Sequence, residues 1–156
     1  MRHSRLIPIV AFAAIAAAAC ENDPGVGVEG TFPVTITYHV DTCVGDEGRS
    51  EAIELTIERD GDDVTITITD VGTLTGTFNP VDRVMTVNGT ILVPNPLGGT
   101  FSGEMLMFAR VTGDEVNVSG GITFEGTFPG VSGTCERQFL GSGPRANLTP
   151  FPLTGP

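Results

Sequence analysis

The stretch that decides the fold is Ile53–Thr69, IELTIERDGDDVTITIT. Apolar residues recur at every second position on both sides of a central Asp60-Gly61 pair. Strict alternation of this kind predicts half-buried β-strands, and Asp-Gly is favoured in the two-residue type I′ turn. With Asp60 and Gly61 as the turn, Ile57 faces Val64 and every apolar pair lies on one face of the hairpin. Turn chemistry and hydrophobic register therefore agree on a β-hairpin.

The same alternation continues before and after this hairpin. Gly, Thr and Val dominate the chain, Trp is absent, and no segment after Cys20 has helical periodicity. This is strand composition. Asn88-Gly89 lies inside one of these segments, where it forms either a hairpin of two short arms or a bend in one long strand; we favour the long strand. Further strands are expected at about 32–40, 73–78, 83–93, 100–111, 116–128 and 133–141.

The first nineteen residues have the three regions of a secretory signal. Arg2 and Arg5 provide a positive start, an apolar run follows over residues 6–19, and three small residues precede Cys20. The apolar run is too short for a bilayer core, which needs about 20 residues. A charged start, a short apolar run and small residues at the cleavage site predict a signal peptide that is removed.

The residues Ala17-Ala18-Ala19-Cys20 resemble the lipobox of bacterial lipoproteins. That family prefers Leu where Ala17 stands. The resemblance implies cleavage before Cys20 and a mature protein held to the membrane by lipid on Cys20, palmitate included. Each buried methylene of an acyl chain contributes about 0.8 kcal/mol. Because Glu21 rather than Asp follows the cysteine, we expect the bacterial cell envelope, and the outer membrane rather than the inner one.

Lipid on Cys20 leaves two of the three cysteines, Cys43 and Cys135. Two thiols in an oxidising compartment predict a disulfide. A metal site with His39 is the alternative, although the ligand spacing of known sites is absent. Cys43 follows the first predicted strand and Cys135 lies on the last one. A bridge between them joins the two ends of the sheet, which favours a closed barrel over a sandwich.

These features predict an all-β fold: an antiparallel up-and-down meander of about eight strands, closed as a barrel, with a β-sandwich as the alternative. The plan resembles small lipocalin-like bacterial lipoproteins over residues 31–141, with a tether at 20–30 and a Pro-rich tail at 142–156. Gly30-Thr31-Phe32 stands about where lipocalins carry Gly-x-Trp. The resemblance implies a site for a small apolar ligand inside the barrel, whereas the alternative is that the inward side chains fill the core. The candidate ligand-binding residues are Tyr38, Met85, Phe101, Met105, Met107 and Phe124.

Composition and motifs narrow the function. The net charge is −11, and all 8 basic residues are Arg, which predicts no binding to nucleic acid. We find no Gly-x-Ser-x-Gly motif, and alternation places His39 on the solvent side of its strand. The acidic turn at Asp60–Asp63 lacks the spacing of a calcium loop. The sequence therefore predicts no catalytic residues, no metal and no cofactor. We expect a monomeric, non-enzymatic structural or interaction module that binds an envelope protein, or alternatively a carrier of a small apolar ligand.

Overall fold

The computed structural model describes residues 27–43, 45–94, 100–128 and 131–146, with only the backbone at 94, 100–101, 126–128 and 131–132. Cys20 and the signal segment lie outside the described residues. Those described form an all-β fold of eight strands: β1 Gly30–Asp41, β2 Ser50–Asp60, β3 Asp63–Ile68, β4 Gly72–Asn79, β5 Val84–Pro94, β6 Thr100–Thr112, β7 Glu115–Phe128 and β8 Val131–Pro144.

The eight strands form one closed barrel in chain order. Each strand pairs antiparallel with the next, and β1 closes the barrel by pairing with β8 from Thr35↔Ser142 to Asp41↔Arg137. The predicted up-and-down barrel is confirmed, and the sandwich alternative is wrong. β8 continues to Pro144, past the predicted end at Gly141, because its last residues pair with the start of β7. Each of the eight described strands therefore has a hydrogen-bonded neighbour on both sides, which removes the edge strands that invite association.

The β2–β3 turn differs from the prediction by one position. Asp60 pairs with Asp63, so Gly61 and Asp62 form the turn rather than Asp60 and Gly61. Gly61 has a φ of 63°, which fits the first central position of a type II′ turn, where Gly is preferred. Ile57 consequently pairs with Ile66 instead of Val64. The error moves the register by two residues, and therefore each apolar side chain keeps its predicted face.

The long form of β5 is confirmed, since the strand runs without interruption through Asn88-Gly89. Gly89 pairs with Met105 on β6 in a continuous ladder.

No helix long and apolar enough to cross a membrane occurs among the described residues.

Inward side chains from all eight strands form one core. Phe32, Leu55 and Phe139 are each completely buried within it. Val28, which the sequence analysis assigned to the tether, is also completely buried. The chain therefore begins to pack into the barrel before β1 starts.

One irregularity changes what faces the interior. The β1–β8 register shifts between Tyr38 and Val40, so that Val40 pairs with Gln138 and Asp41 with Arg137. Alternation predicted Asp41 on the solvent face, yet only 3% of Asp41 is exposed. A β-bulge adds one residue to one strand and reverses the alternation beyond it. His39 lies at this bulge and is exposed, as predicted.

Candidate functional site

An apolar trough lies on the outer face of the barrel. Its floor is β7, where Ser119 and Gly121 are the outward residues between the apolar walls. The walls are Leu106 and Phe108 on β6 and Leu140 on β8, which are 45%, 41% and 56% exposed. Phe108, Ser119 and Leu140 form one cross-strand row, and Leu106 lies opposite Gly121 in the next. The small floor residues between large neighbours create the concave shape.

The trough is an open hollow of about 710 Å³. A further groove of about 460 Å³ shares Phe108, Ser119 and Leu140 with it and extends toward Arg110. His39 borders the trough from β1. The two hollows together run along β7, parallel to the strand.

One end of the trough is acidic. Glu104 and Glu136 flank Thr123 in the row beyond Gly121. Glu104 Oε1 accepts a hydrogen bond of 2.7 Å from the Thr90 hydroxyl, and Glu136 Oε1 accepts one of 2.7 Å from Gln138 Nε2. Both side chains are exposed, and within the described part of the chain neither is ion-paired with an arginine.

The other end carries a single cation. Arg110 pairs with Asn117 across the β6–β7 ladder, and Thr112 pairs with Glu115 in the following row. Glu115 is exposed and partly offsets the charge of Arg110. The trough is therefore strongly negative at one end and nearly neutral at the other.

The described side chains fill most of the barrel interior. A cavity of about 80 Å³ remains near the end that holds Cys43 and Cys135, here called the disulfide rim. Its walls are apolar except for Tyr38, Glu51 and Arg137. Pockets that hold drug-sized ligands measure about 300–1,000 Å³, so this cavity suits a few water molecules.

The polar groups around that cavity are bound to one another. Tyr38 donates a hydrogen bond of 3.2 Å to Glu51 Oε2, and the Arg137 guanidinium lies 5.2 Å from the centre of the Tyr38 ring. Burial, followed by the charge of Glu51, raises the pKa of Tyr38 to about 12. Arg137 Nε lies 3.1 Å from Asp41 Oδ2. These contacts connect β1, β2 and β8 at the disulfide rim.

The predicted ligand-binding residues divide into three groups. Tyr38 and Met105 border the inner cavity. Met85, Met107 and Phe124 are buried in the core and are not among the residues that surround that cavity. The side chain of Phe101 lies outside the described residues.

The predicted disulfide is present. Cys43 and Cys135 are bonded, with their Cα atoms 5.0 Å apart. Asp41 Oδ1 accepts a hydrogen bond of 2.9 Å from the Cys43 backbone N–H, so the buried ion pair also positions the disulfide. Sequence reasoning missed Asp41 because only the bulge brings it inward. Arg137 lies on the same face of β8 as Cys135 and Phe139, so alternation along β8 would have found it.

The opposite end of the barrel, the tether rim, holds residues 27–29. Arg145 donates hydrogen bonds to the carbonyl oxygens of Gly27 and Glu29. Its guanidinium lies 4.9 Å from the centre of the Phe32 ring and its Nε 3.4 Å from Asp114 Oδ1. The chain on the N-terminal side of the barrel and the chain on its C-terminal side are thus fastened together at one rim.

Within the described part of the chain, no group of three or more His, Cys, Asp or Glu residues could hold a metal ion. The Asp60–Asp63 turn is exposed at its tip.

The trough residues Leu106 and Leu140 were not singled out from the sequence. Period-two alternation does place Phe108 on the outer face, and the same alternation along β6 and β8 would have placed Leu106 and Leu140 there.

No family model, curated protein or solved structure gives a significant match to this chain.

Proposed function

We propose that this protein is a lipid-anchored component of the bacterial cell envelope whose barrel is a non-enzymatic interaction module. The observation that carries the proposal is the contrast between the interior and the surface. The inner cavity measures about 80 Å³, whereas the outer trough measures about 710 Å³ and exposes three large apolar side chains. Exposed apolar patches of this kind are typical of interaction sites.

The polar groups of the barrel support a structural role over catalysis. Catalytic groups sit where a substrate can reach them, next to a base or nucleophile with a shifted pKa. The buried polar residues of the disulfide rim, Tyr38, Asp41 and Arg137, instead bind one another. His39 is exposed at the bulge, beside the trough rather than within a closed pocket.

The tether rim supports the anchored arrangement. Arg145 fastens residues 27–29 to the barrel, and the six residues 21–26 would separate this rim from lipid on Cys20. An extended chain of that length reaches about 20–25 Å. The tether rim would therefore stay close to the membrane, which Glu21 assigns to the outer membrane, while the trough on the side wall remains open to other envelope proteins.

The carrier alternative has weaker geometric support. A small apolar ligand would have to displace core side chains such as Met107, which is completely buried, because the cavity alone holds too little space. We therefore place the binding surface on the outside of the barrel.

Two experiments test the proposal. Mass spectrometry of the mature protein from its own envelope is expected to show acyl chains on Cys20, and Cys20→Ser is expected to release the protein from the membrane fraction. For the module, a photoreactive amino acid placed at Ser119 in the trough is expected to give discrete crosslinked products in intact envelopes. The matched position Thr75 is exposed on β4 and should give none.

Equal crosslinking from Ser119 and Thr75, or products that persist when Leu140→Thr is added, would refute an interaction site in the trough. An unmodified Cys20 would refute the anchor while leaving the trough to be judged by crosslinking alone.

A further inference from the structure

We infer that the trough binds an extended protein segment carrying apolar residues at two alternate positions and a lysine or arginine two positions further along. This inference deepens the proposed interaction function, on which it rests, by specifying the chemistry of the partner. It follows from the order of the side-chain rows along β7.

The rows have the period of an extended chain. The first contains Phe108, Ser119 and Leu140, and the next contains Leu106, Gly121 and Gln138, in which Leu106 is the apolar member. Successive rows are two residues apart along β7, or about 6.6 Å in a strand. Side chains at alternate positions of an extended segment have the same spacing. Two apolar side chains of such a segment would therefore meet these two rows in turn.

The third row of side chains gives this end of the trough its negative charge. Glu104 and Glu136 flank Thr123, and Glu125 follows in the row beyond, opposite Thr134. Three carboxylates thus surround one end of the apolar section. A basic side chain placed two positions after the second apolar residue reaches this row, where it faces Glu104 on one wall and Glu136 on the other.

Polar groups along the trough suit a peptide backbone. The amide of Gln138 and the side chain of Asn88 border it, together with the Thr123 hydroxyl. These groups supply donors and acceptors for the N–H and C=O groups of an extended segment, which would otherwise lose water on one side.

The charge pattern disfavours two other occupants. A second copy of this chain packed trough to trough would bring the acidic row onto either the same acidic row or the end with Arg110, where Glu115 partly offsets the cation, so neither alignment supplies a net positive charge. An anionic lipid surface is repelled by the same carboxylates. A basic segment satisfies both the apolar rows and the acidic row.

The test uses the full mature chain, isotopically labelled in detergent micelles and titrated with synthetic peptides by NMR. The probes are acetyl-Thr-Leu-Thr-Leu-Thr-Lys-Thr-amide and its reversed sequence, which covers both chain directions. The controls are the same two peptides with Glu in place of Lys. We expect saturable shifts at β6–β8 and an affinity for at least one Lys peptide that is about fivefold or more above that of its Glu counterpart.

Variants locate the binding. Leu140→Thr and Phe108→Thr are expected to weaken the preferred peptide about tenfold each through lost apolar contact. Leu92→Thr is the matched control, since Leu92 is 53% exposed on β5 and does not border the trough. Glu104→Gln combined with Glu136→Gln is expected to abolish the preference for Lys while retaining most of the apolar binding.

Each outcome decides between the alternatives. Binding at β6–β8 without preference for Lys over Glu would overturn the inference about charge and leave the interaction proposal standing. Shifts confined to other strands, no saturable shift at millimolar peptide, or equal effects of Leu140→Thr and Leu92→Thr would overturn both. Concentration-dependent dimerisation that Leu140→Thr abolishes would assign the trough to a second copy and also overturn the inference.

Discussion

Two adjacent glycines on β7 provide a sharp test of the packing described above. Gly120 faces the interior and Gly121 forms the floor of the trough. A Cβ added at Gly120 would lie 2.5 Å from the backbone oxygen of Leu106 and 2.8 Å from Cζ of Phe139. A Cβ added at Gly121 would meet the backbone oxygen of Arg137 at 3.6 Å, an ordinary contact. The two positions are neighbours in sequence but differ sharply in available space.

The magnitudes follow from these distances. Favourable contacts between heavy atoms lie at about 3.5–4.0 Å, so Gly120→Ala must displace β6 or β7 by about 1 Å. The nearest atom is backbone and cannot rotate away, which puts the cost at the upper part of the 1–3 kcal/mol typical of overpacking, or about 2–3 kcal/mol. Gly121→Ala adds no clash and restricts the unfolded chain, so it should raise the free energy of unfolding by about 0.4–1 kcal/mol.

Urea unfolding followed by far-ultraviolet circular dichroism measures both variants, with the disulfide intact in each. We expect the midpoint to fall for Gly120→Ala and to rise slightly for Gly121→Ala, with an unchanged slope on denaturant concentration. A loss of stability in Gly121→Ala as large as that in Gly120→Ala would refute the assignment of inward and outward faces on β7. Equal midpoints for all three proteins would refute the tight packing of β7 against β6.

Three other measurements probe the two rims of the barrel. Replacing Cys43 and Cys135 by Ser removes a link between residues 92 positions apart, and this should lower the free energy of unfolding by about 4–5 kcal/mol; an unchanged urea midpoint would contradict a constraint on the unfolded chain. Arg145→Leu removes the hydrogen bonds to the tether rim, and we expect faster limited proteolysis at residues 27–29, whereas the exposed Arg110→Leu should leave the cleavage rate unchanged. Tyr38 is the single tyrosine of the chain, so its absorbance titration should report a pKa of about 12 in the folded protein against 10.0 in the unfolded chain. Because the unfolded chain ionises first, stability is fully present below pH 10 and declines as the pH rises toward 12; titration of the folded protein near pH 10 would argue against a buried Tyr38.

The fold was accessible from sequence because alternation and turn chemistry act locally. Period-two patterns identified the strands, and Gly-containing turns separated them. The one error in the hairpin arose because the residues at 60–63 allow two adjacent placements of a two-residue turn. Both keep the apolar residues on one face, so hydrophobic pattern alone does not decide between them. The pairing of Asp60 with Asp63 decides in favour of Gly61-Asp62.

The site was less accessible because it depends on relations between strands. Asp41 reads as an outward residue until the bulge between Tyr38 and Val40 is known, and a bulge has no simple signal in one sequence. The walls of the trough lie on β6 and β8, with β7 between them. Their proximity requires the register of two ladders, which the sequence does not supply, although the outward face of each residue follows from alternation.

Large apolar residues are not spread evenly over the outer surface of the barrel. The outer faces of β3 and β4 carry threonines, among them Thr67 and Thr75, which are exposed and suit a solvated strand. On β6 and β8 the equivalent outward positions carry Leu and Phe, and the strand between them carries Ser and Gly. Scattered exposed apolar residues are normal on protein surfaces. Large apolar residues that flank a strand of small ones, with carboxylates at one end, instead form a shaped surface. Since the described side chains fill most of the interior, this surface offers more open space than the inner cavity does.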